Sequence, residues 1–342
     1  MSTAADDEPP KQSYQYFWSA ISGLSIDEFV AKYRPSMVRN DGTKPWLWVE
    51  GSGPNSFHDG GREAAVLEAK NLLNEYTIEI ENIKNDSSIP IRSNKKTGAK
   101  SKKEVREQLQ AEAAEKLKDI AHRHNFFTGK WLMFTSPEKV DVIWSTLAKS
   151  IVSGPLASSS AQLAKVSTSP KAEAAHYQHI ICVYLPNIYD KEDVTAVMKI
   201  LIRNHGFYLN GVKSDLYTLI GLDSKHSSGI QSTIWKNMDL LKEDEMKELR
   251  DAFFAEGAEG KGDKTRVENA GKTVLQEGSS KKVKPKPVLK KSQDDPFMSD
   301  DDQNEENETE KKLQTKGSGT TQKRPRPSDD KASTRTRVKK SK

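Results

Sequence analysis

The sequence predicts an α+β fold, in which helices pack on one face of an antiparallel sheet. Two observations predict this class. Stretches with helical spacing of apolar residues alternate with short apolar stretches between residues 13 and 256. Several predicted strands also follow one another without a helix between them, which excludes a uniform βαβ repeat and favours antiparallel pairing.

Start signals and apolar spacing place six elements in the first half of this region. Ser25-Ile-Asp-Glu begins a capped helix within the aromatic segment 14–33, and Ser136-Pro-Glu begins a helix that runs to 152, with Pro at its first position. The other predicted elements are a strand at 44–50, helices at 62–84 and 104–124, and a strand at 129–135. Residues 85–103 are polar and basic and are predicted to form a linker.

The second half is predicted to contain the same kinds of element. Short apolar stretches indicate strands, and apolar residues at helical spacing indicate helices. The predicted strands are 161–168, 176–185, 215–222 and 229–235, and the predicted helices are 190–204 and 242–254.

Composition changes sharply near Gly257. Residues 257–342 hold 22 Lys and Arg against 15 Asp and Glu, whereas residues 1–256 hold 32 against 34, so the surplus positive charge belongs to the C-terminal segment. All six Trp and all nine Tyr precede Gly257, which leaves too little apolar surface afterwards to offset the entropy of ordering the backbone. The sequence predicts a disordered N-terminus at 1–12, one domain at 13–256 and a disordered basic tail at 257–342.

Several classes of protein are disfavoured. The single cysteine, Cys182, rules out an intrachain disulfide framework and is predicted to be a buried structural thiol. His122 and His124 point apart on a helix, with no third metal ligand at a suitable spacing. The acidic N-terminus lacks the apolar segment of a secretory signal, and no stretch is long and apolar enough for a membrane span. We expect a soluble intracellular monomer without metal or cofactor.

The segment from Gly129 onward resembles the cap-binding translation initiation factor superfamily. The resemblance is carried by the Gly-basic-Trp strand Gly129-Lys-Trp-Leu-Met-Phe and the Asp-x-x-Trp helix Asp141-Val-Ile-Trp, followed by strands with Ala164-Lys-Val and Ile180-Ile-Cys-Val-Tyr-Leu. Within that superfamily, the Pro45-Trp-Leu-Trp-Val strand makes the chain more similar to the basophilic-leukaemia-expressed protein family. The resemblance implies a curved antiparallel sheet with helices on its convex face and a concave face available for a ligand. It also implies a core position for the strand and helix tryptophans.

The positions of the two cap-stacking tryptophans hold other residues here. In the initiation factor these tryptophans sandwich a methylated guanine, while an acidic residue binds its edge and basic residues hold the phosphates. The loop 51–61 offers only Phe57 and His58, and the region before Gly129 offers Phe126 and Phe127 without a following acid. The resemblance therefore implies the fold more strongly than it implies cap binding.

Other candidate ligand groups are basic or aromatic. Lys130 matches the family's basic residue before the strand tryptophan, and Lys165 or Lys171 represents its later phosphate-binding residues. Trp46 and Trp48 are two residues apart on a strand and therefore share one face. That face is either the helix-covered core or a stacking platform on the open side.

Two basic clusters in the tail have the pattern of nuclear import signals, and contact with nucleic acid is an alternative use of the same side chains. Between the clusters, Ser299 precedes a run of acids and is a candidate for phosphorylation by an acidophilic kinase. The basic residues are Lys281, Lys282, Lys284, Lys286, Lys290 and Lys291 in the first cluster, and Lys323, Arg324, Arg326, Arg335, Arg337, Lys339 and Lys340 in the second.

The sequence predicts a binding protein and not an enzyme, because it has neither a Gly-x-x-x-x-Gly-Lys-Ser/Thr phosphate loop nor a Gly-x-Ser-x-Gly elbow. We expect a nuclear or nucleocytoplasmic protein that holds RNA or a nucleotide on the concave face, with the lysines of 95–103 at its rim. The alternative is a protein-interaction scaffold without a nucleotide ligand, which docks a partner through its helical face or segment 14–33. A nuclear import receptor is an expected partner in both cases.

Overall fold

The computed structural model describes residues 13–51, 61–172 and 177–262, with side chains described as far as Glu256. These residues all belong to one compact unit of the chain. The strands are β1 (Phe17–Trp18), β2 (Trp46–Glu50), β3 (Gly129–Thr135), β4 (Leu163–Ser167), β5 (His179–Leu185) and β6 (Val212–Ser214). The helices are α1 (Ile26–Lys32), α2 (Arg62–Asn85), α3 (Lys102–Arg123), α4 (Pro137–Ser153), α5 (Lys191–Arg203), α6 (Asp215–Leu219), α7 (Asn237–Leu240) and α8 (Glu243–Gly262).

Local capping signals begin the helices of the first half. The Ser25 hydroxyl accepts a hydrogen bond from Glu28 N, while the Glu28 carboxylate accepts one from Ser25 N, as the capping box predicts. A second box, made by Ser101 and Glu104, begins α3 slightly earlier than predicted. Helix α4 begins at Pro137, which confirms the predicted start.

The six strands form one open sheet in the order β1-β2-β4-β5-β3-β6. Every pair is antiparallel except β1 with β2, which is parallel. The prediction of a purely antiparallel sheet is therefore wrong at this edge, and the sheet is mixed. The parallel pair is possible because the connection 19–45 is long enough to include α1 and return the chain to the same end of the sheet.

Two predicted strands, 215–222 and 229–235, are wrong. Asp215–Leu219 is helix α6, and the hydroxyl of Ser214 caps its first turn directly after β6. Residues 229–235 contribute one isolated bridge, from Trp235 to β6. A few alternating apolar residues do not distinguish a strand from a single helical turn, which explains the error.

One face of the sheet packs against α1, α4 and α5 to form the main core. Trp131 and Trp144 are fully buried there, which confirms the prediction for the strand and helix tryptophans. The N-terminal aromatic segment belongs to the same core, since Trp18, Phe29 and Tyr33 are buried in it. These aromatic side chains therefore anchor segment 14–33 to the domain core.

Helices α2 and α3 form an antiparallel hairpin that packs against α6 around a second apolar cluster. Polar contacts fix their register: the Tyr76 hydroxyl donates to the Glu112 carboxylate at 2.7 Å, and Arg123 pairs with Glu68 at 2.7 Å. The predicted linker 85–103 is thus the turn of a helical hairpin.

Candidate binding site on the sheet

The second face of the sheet carries aromatic and basic side chains together. Because side chains alternate along a strand, this face is formed by the residues between those of the main core. The strand register places Trp48 beside Lys165, and Lys165 beside Cys182. On the same face, Tyr184 pairs with Lys130. Four neighbouring strands thus bring together groups that are far apart in the sequence.

Lys165 lies among three aromatic rings. Its Nζ atom is 4.1 Å from the ring centroid of Trp46, 4.8 Å from that of Trp48 and 5.6 Å from that of Tyr184. The rings of Trp48 and Tyr184 are stacked, with centroids 5.8 Å apart. Such rings stabilise an ammonium group through their negative faces. We refer to Trp46, Trp48, Lys165 and Tyr184 as the aromatic–lysine cluster.

The aromatic–lysine cluster is almost completely removed from solvent. The exposed fraction is 8% for Trp46, 2% for Trp48 and 1% for Lys165. Among the described residues, the indole N–H of Trp46 has no hydrogen-bond acceptor. The two tryptophans therefore form neither the helix-covered core nor an open stacking platform.

Lys130 adds a second amine to this face in different surroundings. Its Nζ lies 3.1 Å from Asp215 Oδ1 and 5.2 Å from the ring centroid of Tyr184. Asp215 belongs to the first turn of α6 and is partly buried, with 14% of its side chain exposed, so the segment predicted as a strand supplies the carboxylate of this pair. Lys130 is thus held by an ion pair, which fixes its position and balances its charge.

The other predicted site residues lie apart from the aromatic–lysine cluster. Phe126 is buried in the apolar cluster of α2, α3 and α6. Phe127 contacts His122 and Tyr189, with ring centroids 5.2 Å and 6.1 Å away. Lys171 is exposed, in the turn that follows β4. The structure therefore joins Trp46 and Trp48 with Lys165 and does not bring the two phenylalanines to them.

Several predicted residues fall outside the described part of the chain. These are Phe57, His58 and Ser299, together with both basic clusters of the tail.

The sequence interpretation did not include Tyr184, although a signal for it existed. Lys165 is the only charged residue of β4, and a lysine inside an otherwise apolar strand needs partners on its own face. Those partners lie on strands distant in sequence, so only the strand order identifies them.

A hydrogen-bonded serine–histidine pair was also not predicted. His205 Nε2 lies 2.8 Å from Ser150 Oγ, which also accepts a hydrogen bond from Leu156 N at 3.2 Å. Burial lowers the pKa of His205, which favours the neutral imidazole that can accept the Ser150 proton. Because the Ser150 hydroxyl is buried and holds the turn after α4, the pair has a structural role.

These features define an α+β protein with an open mixed sheet of six strands, helices on one face and a buried aromatic–lysine cluster on the other. A family model described as basophilic leukemia-expressed protein Bles03 matches residues 2–205. The chain belongs to this family. The matched range includes every member of the aromatic–lysine cluster and ends before Asp215.

Two further findings concern the described residues alone. No helix among them is long and apolar enough to cross a membrane. Nor do residues 13–51, 61–172 and 177–256 contain a group of three or more His, Cys, Asp or Glu side chains placed to hold a metal ion.

Proposed function

We propose that this chain is a non-enzymatic binding protein that holds a phosphate group of a nucleotide or RNA on the sheet face with the aromatic–lysine cluster. The observation that carries the proposal is the position of Lys165, whose amine lies 4.1 Å and 4.8 Å from two tryptophan rings on a buried face. The indole N–H of Trp46, which has no acceptor among the described residues, supports the proposal, since an anionic oxygen would accept that hydrogen bond.

The chemistry of the cluster favours an anion over a cation. In the cap-binding mode of the initiation factor, two aromatic rings stabilise a positively charged base. Here the ammonium of Lys165 already occupies the space beside the rings of Trp46, Trp48 and Tyr184, so a cationic base would meet like charge. A phosphate oxygen, by contrast, gains a charge-assisted hydrogen bond in a region of low dielectric constant. The resemblance to the initiation factor fold supports a ligand on the same face of the sheet. The chemistry of the cluster, however, favours a different mode of binding.

Calorimetric titration of the full chain with guanosine, GMP and GTP tests the proposal. We expect affinity to rise with the number of phosphates and 7-methyl-GTP to bind no more tightly than GTP. Lys165→Met should weaken GTP binding by about tenfold or more, because a hydrogen bond to a charged group contributes about 1.5–3 kcal/mol. Lys139→Met, at an exposed position of α4, is the matched control and should bind as the unaltered chain does.

Two results would contradict the proposal. One is equal binding of guanosine and GTP, which would show that the phosphates are not recognised. The other is unchanged GTP affinity in a folded Lys165→Met protein. A 5′-phosphorylated tetranucleotide provides the RNA form of the same test, with its 5′-hydroxyl counterpart as control.

A protein-interaction scaffold is the second candidate function. The observation in its favour is a pair of exposed apolar side chains on α2, Leu67 and Ile78, which lie about three turns apart on one side of the helix. Crosslinking of the full chain to its partners, with and without the double change Leu67→Ser and Ile78→Ser, tests it. An unchanged set of crosslinked partners would exclude these two side chains as part of a docking surface.

We also propose that the tail directs the protein to the nucleus, as its two basic clusters suggest. Residues 257–342 fused to a reporter too large for passive diffusion should accumulate in the nucleus. Replacing the basic residues of both clusters with alanine should abolish the accumulation, and equal distribution of the two fusions would contradict the proposal.

A further inference from the structure

The tip of the α2–α3 hairpin, defined as residues 84–107, concentrates positive charge. It holds eight basic and three acidic residues, whereas the rest of residues 1–256 holds 24 basic and 31 acidic residues. The tip therefore has a net charge of +5 on a domain whose remainder is negative. Its exposed basic side chains are Lys84, Arg92, Lys95, Lys96, Lys100 and Lys103.

The hairpin tip has an ordered conformation that presents these side chains together. Asn94 N donates to Ala99 O at 2.9 Å, and Lys96 N donates to the Asn94 side chain at 3.0 Å. Lys102 Nζ donates to Lys84 O at 2.8 Å, which ties the start of α3 to the end of α2. The lysines between these contacts therefore project from a defined turn.

The carboxylates of the hairpin tip are engaged in local contacts. Asp86 accepts hydrogen bonds from the backbone N and the hydroxyl of Ser88 at 2.8 Å and 2.6 Å. Glu104 completes the capping box of α3, and Glu107 lies 3.8 Å from Lys103. Each acid is therefore held at its own turn, which leaves Lys95 and Lys96 at the outer turn facing solvent.

The composition of the hairpin tip indicates which polyanion fits. Protein interfaces are enriched in aromatic residues and Met and depleted in Lys. Residues 84–107 contain six Lys and no aromatic residue or Met. Ile91 is the single large apolar side chain that is exposed there, too little to anchor a membrane surface. Exposed lysines without apolar anchors are typical of contacts to a phosphate backbone.

From these observations we infer that the hairpin tip is a second nucleic-acid contact, which binds the phosphate backbone of single-stranded RNA without reading its sequence. Helix α3 extends about 30 Å from the tip to the end that leads into the strand with Lys130. The inference stands on the hairpin alone, and it holds whether or not the aromatic–lysine cluster binds a nucleotide.

Binding of the full chain to a labelled single-stranded RNA of mixed sequence, measured by fluorescence anisotropy over a series of KCl concentrations, tests the inference. The test variant replaces Lys95, Lys96 and Lys100 with Gln. The control variant replaces Lys139, Lys199 and Lys247 with Gln, which are exposed lysines of α4, α5 and α8. Both variants keep the tail and have the same net charge, so non-specific attraction by the tail is equal in the two.

We expect the test variant to bind RNA more weakly than the control. The slope of log affinity against log salt should fall by about 2 in the test variant, since each lost phosphate contact on a single strand removes about 0.7. Equal affinities and slopes in the two variants would overturn the inference. It would also be overturned if the test variant bound RNA as tightly as the control but bound vesicles of phosphatidylcholine and phosphatidylserine more weakly than the control. GTP binding should be unchanged in the test variant, which separates this contact from the aromatic–lysine cluster.

Discussion

His179 provides a pH-dependent test of the packing between β4 and β5. Its side chain is fully buried, and its Nδ1 atom lies 2.7 Å from the Ser167 carbonyl oxygen. Among the described residues, its Nε2 atom has no hydrogen-bond partner. Burial lowers the pKa of His179, although the Ser167 carbonyl and the charge of Asp141 oppose the shift. The folded protein therefore keeps this imidazole neutral at a pH where the unfolded chain binds a proton.

The sign of the effect follows from proton linkage. Below a pH of about 6.5 the unfolded chain takes up a proton at His179 that the folded chain does not, so the free energy of unfolding falls as pH falls. The loss is at most about 1.4 kcal/mol per pH unit for one such group. His179→Asn removes the titration and retains a short amide donor toward the Ser167 carbonyl.

Urea unfolding at pH 7.5 and 5.5, followed by tryptophan fluorescence, measures the difference. Between these values the unaltered chain should lose about 1 kcal/mol more stability than His179→Asn. Other titrating groups contribute equally to both proteins and cancel in the comparison. If the two proteins lose the same stability, His179 is not held neutral by its burial.

Three substitutions test other contacts. Asp141→Ala removes the acceptor of hydrogen bonds from Ser36 N and Oγ, at 3.0 Å and 2.6 Å, and should cost about 1–3 kcal/mol in urea unfolding, with little further cost from Ser36→Ala. Gly206 has a φ of +65°, and Gly206→Ala adds a Cβ only 2.5 Å from a ring atom of Phe253. This change should lower the Tm more than Gly221→Ala, because Gly221 has a similar φ of +79° but no atom within 4 Å of the added Cβ. Lys130→Met leaves the partly buried Asp215 carboxylate without its ion-pair partner and should cost about 3–5 kcal/mol, recovered in part by Asp215→Asn. Additive costs of the Asp141 and Ser36 changes would contradict the first contact. Equal Tm values of the two glycine variants would contradict the second, and an unaffected stability of Lys130→Met would contradict the third.

Local signals were sufficient to predict much of the fold. The capping box at Ser25 and the Ser-Pro start before α4 depend on neighbouring residues alone, and both helices begin there. The parallel pairing of β1 could not be predicted, because a strand of two residues has no periodicity and its partner is set by packing. The helix Asp215–Leu219 could not be told from a strand for another reason, because a few alternating apolar residues fit a strand and a single helical turn equally well.

The sequence predicted most residues of the candidate site but not their arrangement. Trp46, Trp48 and Lys165 were each singled out by residue type and position. Their contact depends on β2 lying beside β4, a pairing between segments more than 100 residues apart. Tyr184 completes the cluster through the next strand, β5, for the same reason. Spacing within a strand predicts which side chains share a face of the sheet, but only the strand order predicts which of them become neighbours on that face.

Lysine NMR of the full chain tests the proposed phosphate site most directly. With three aromatic rings around its amine, the Lys165 ε-methylene signal should lie far upfield of the other lysines, and Lys165→Met should remove it. Addition of GTP should shift this signal to saturation, while guanosine should leave it in place. An upfield Lys165 signal that does not respond to GTP, in a protein whose fold is intact, would contradict phosphate binding at the aromatic–lysine cluster.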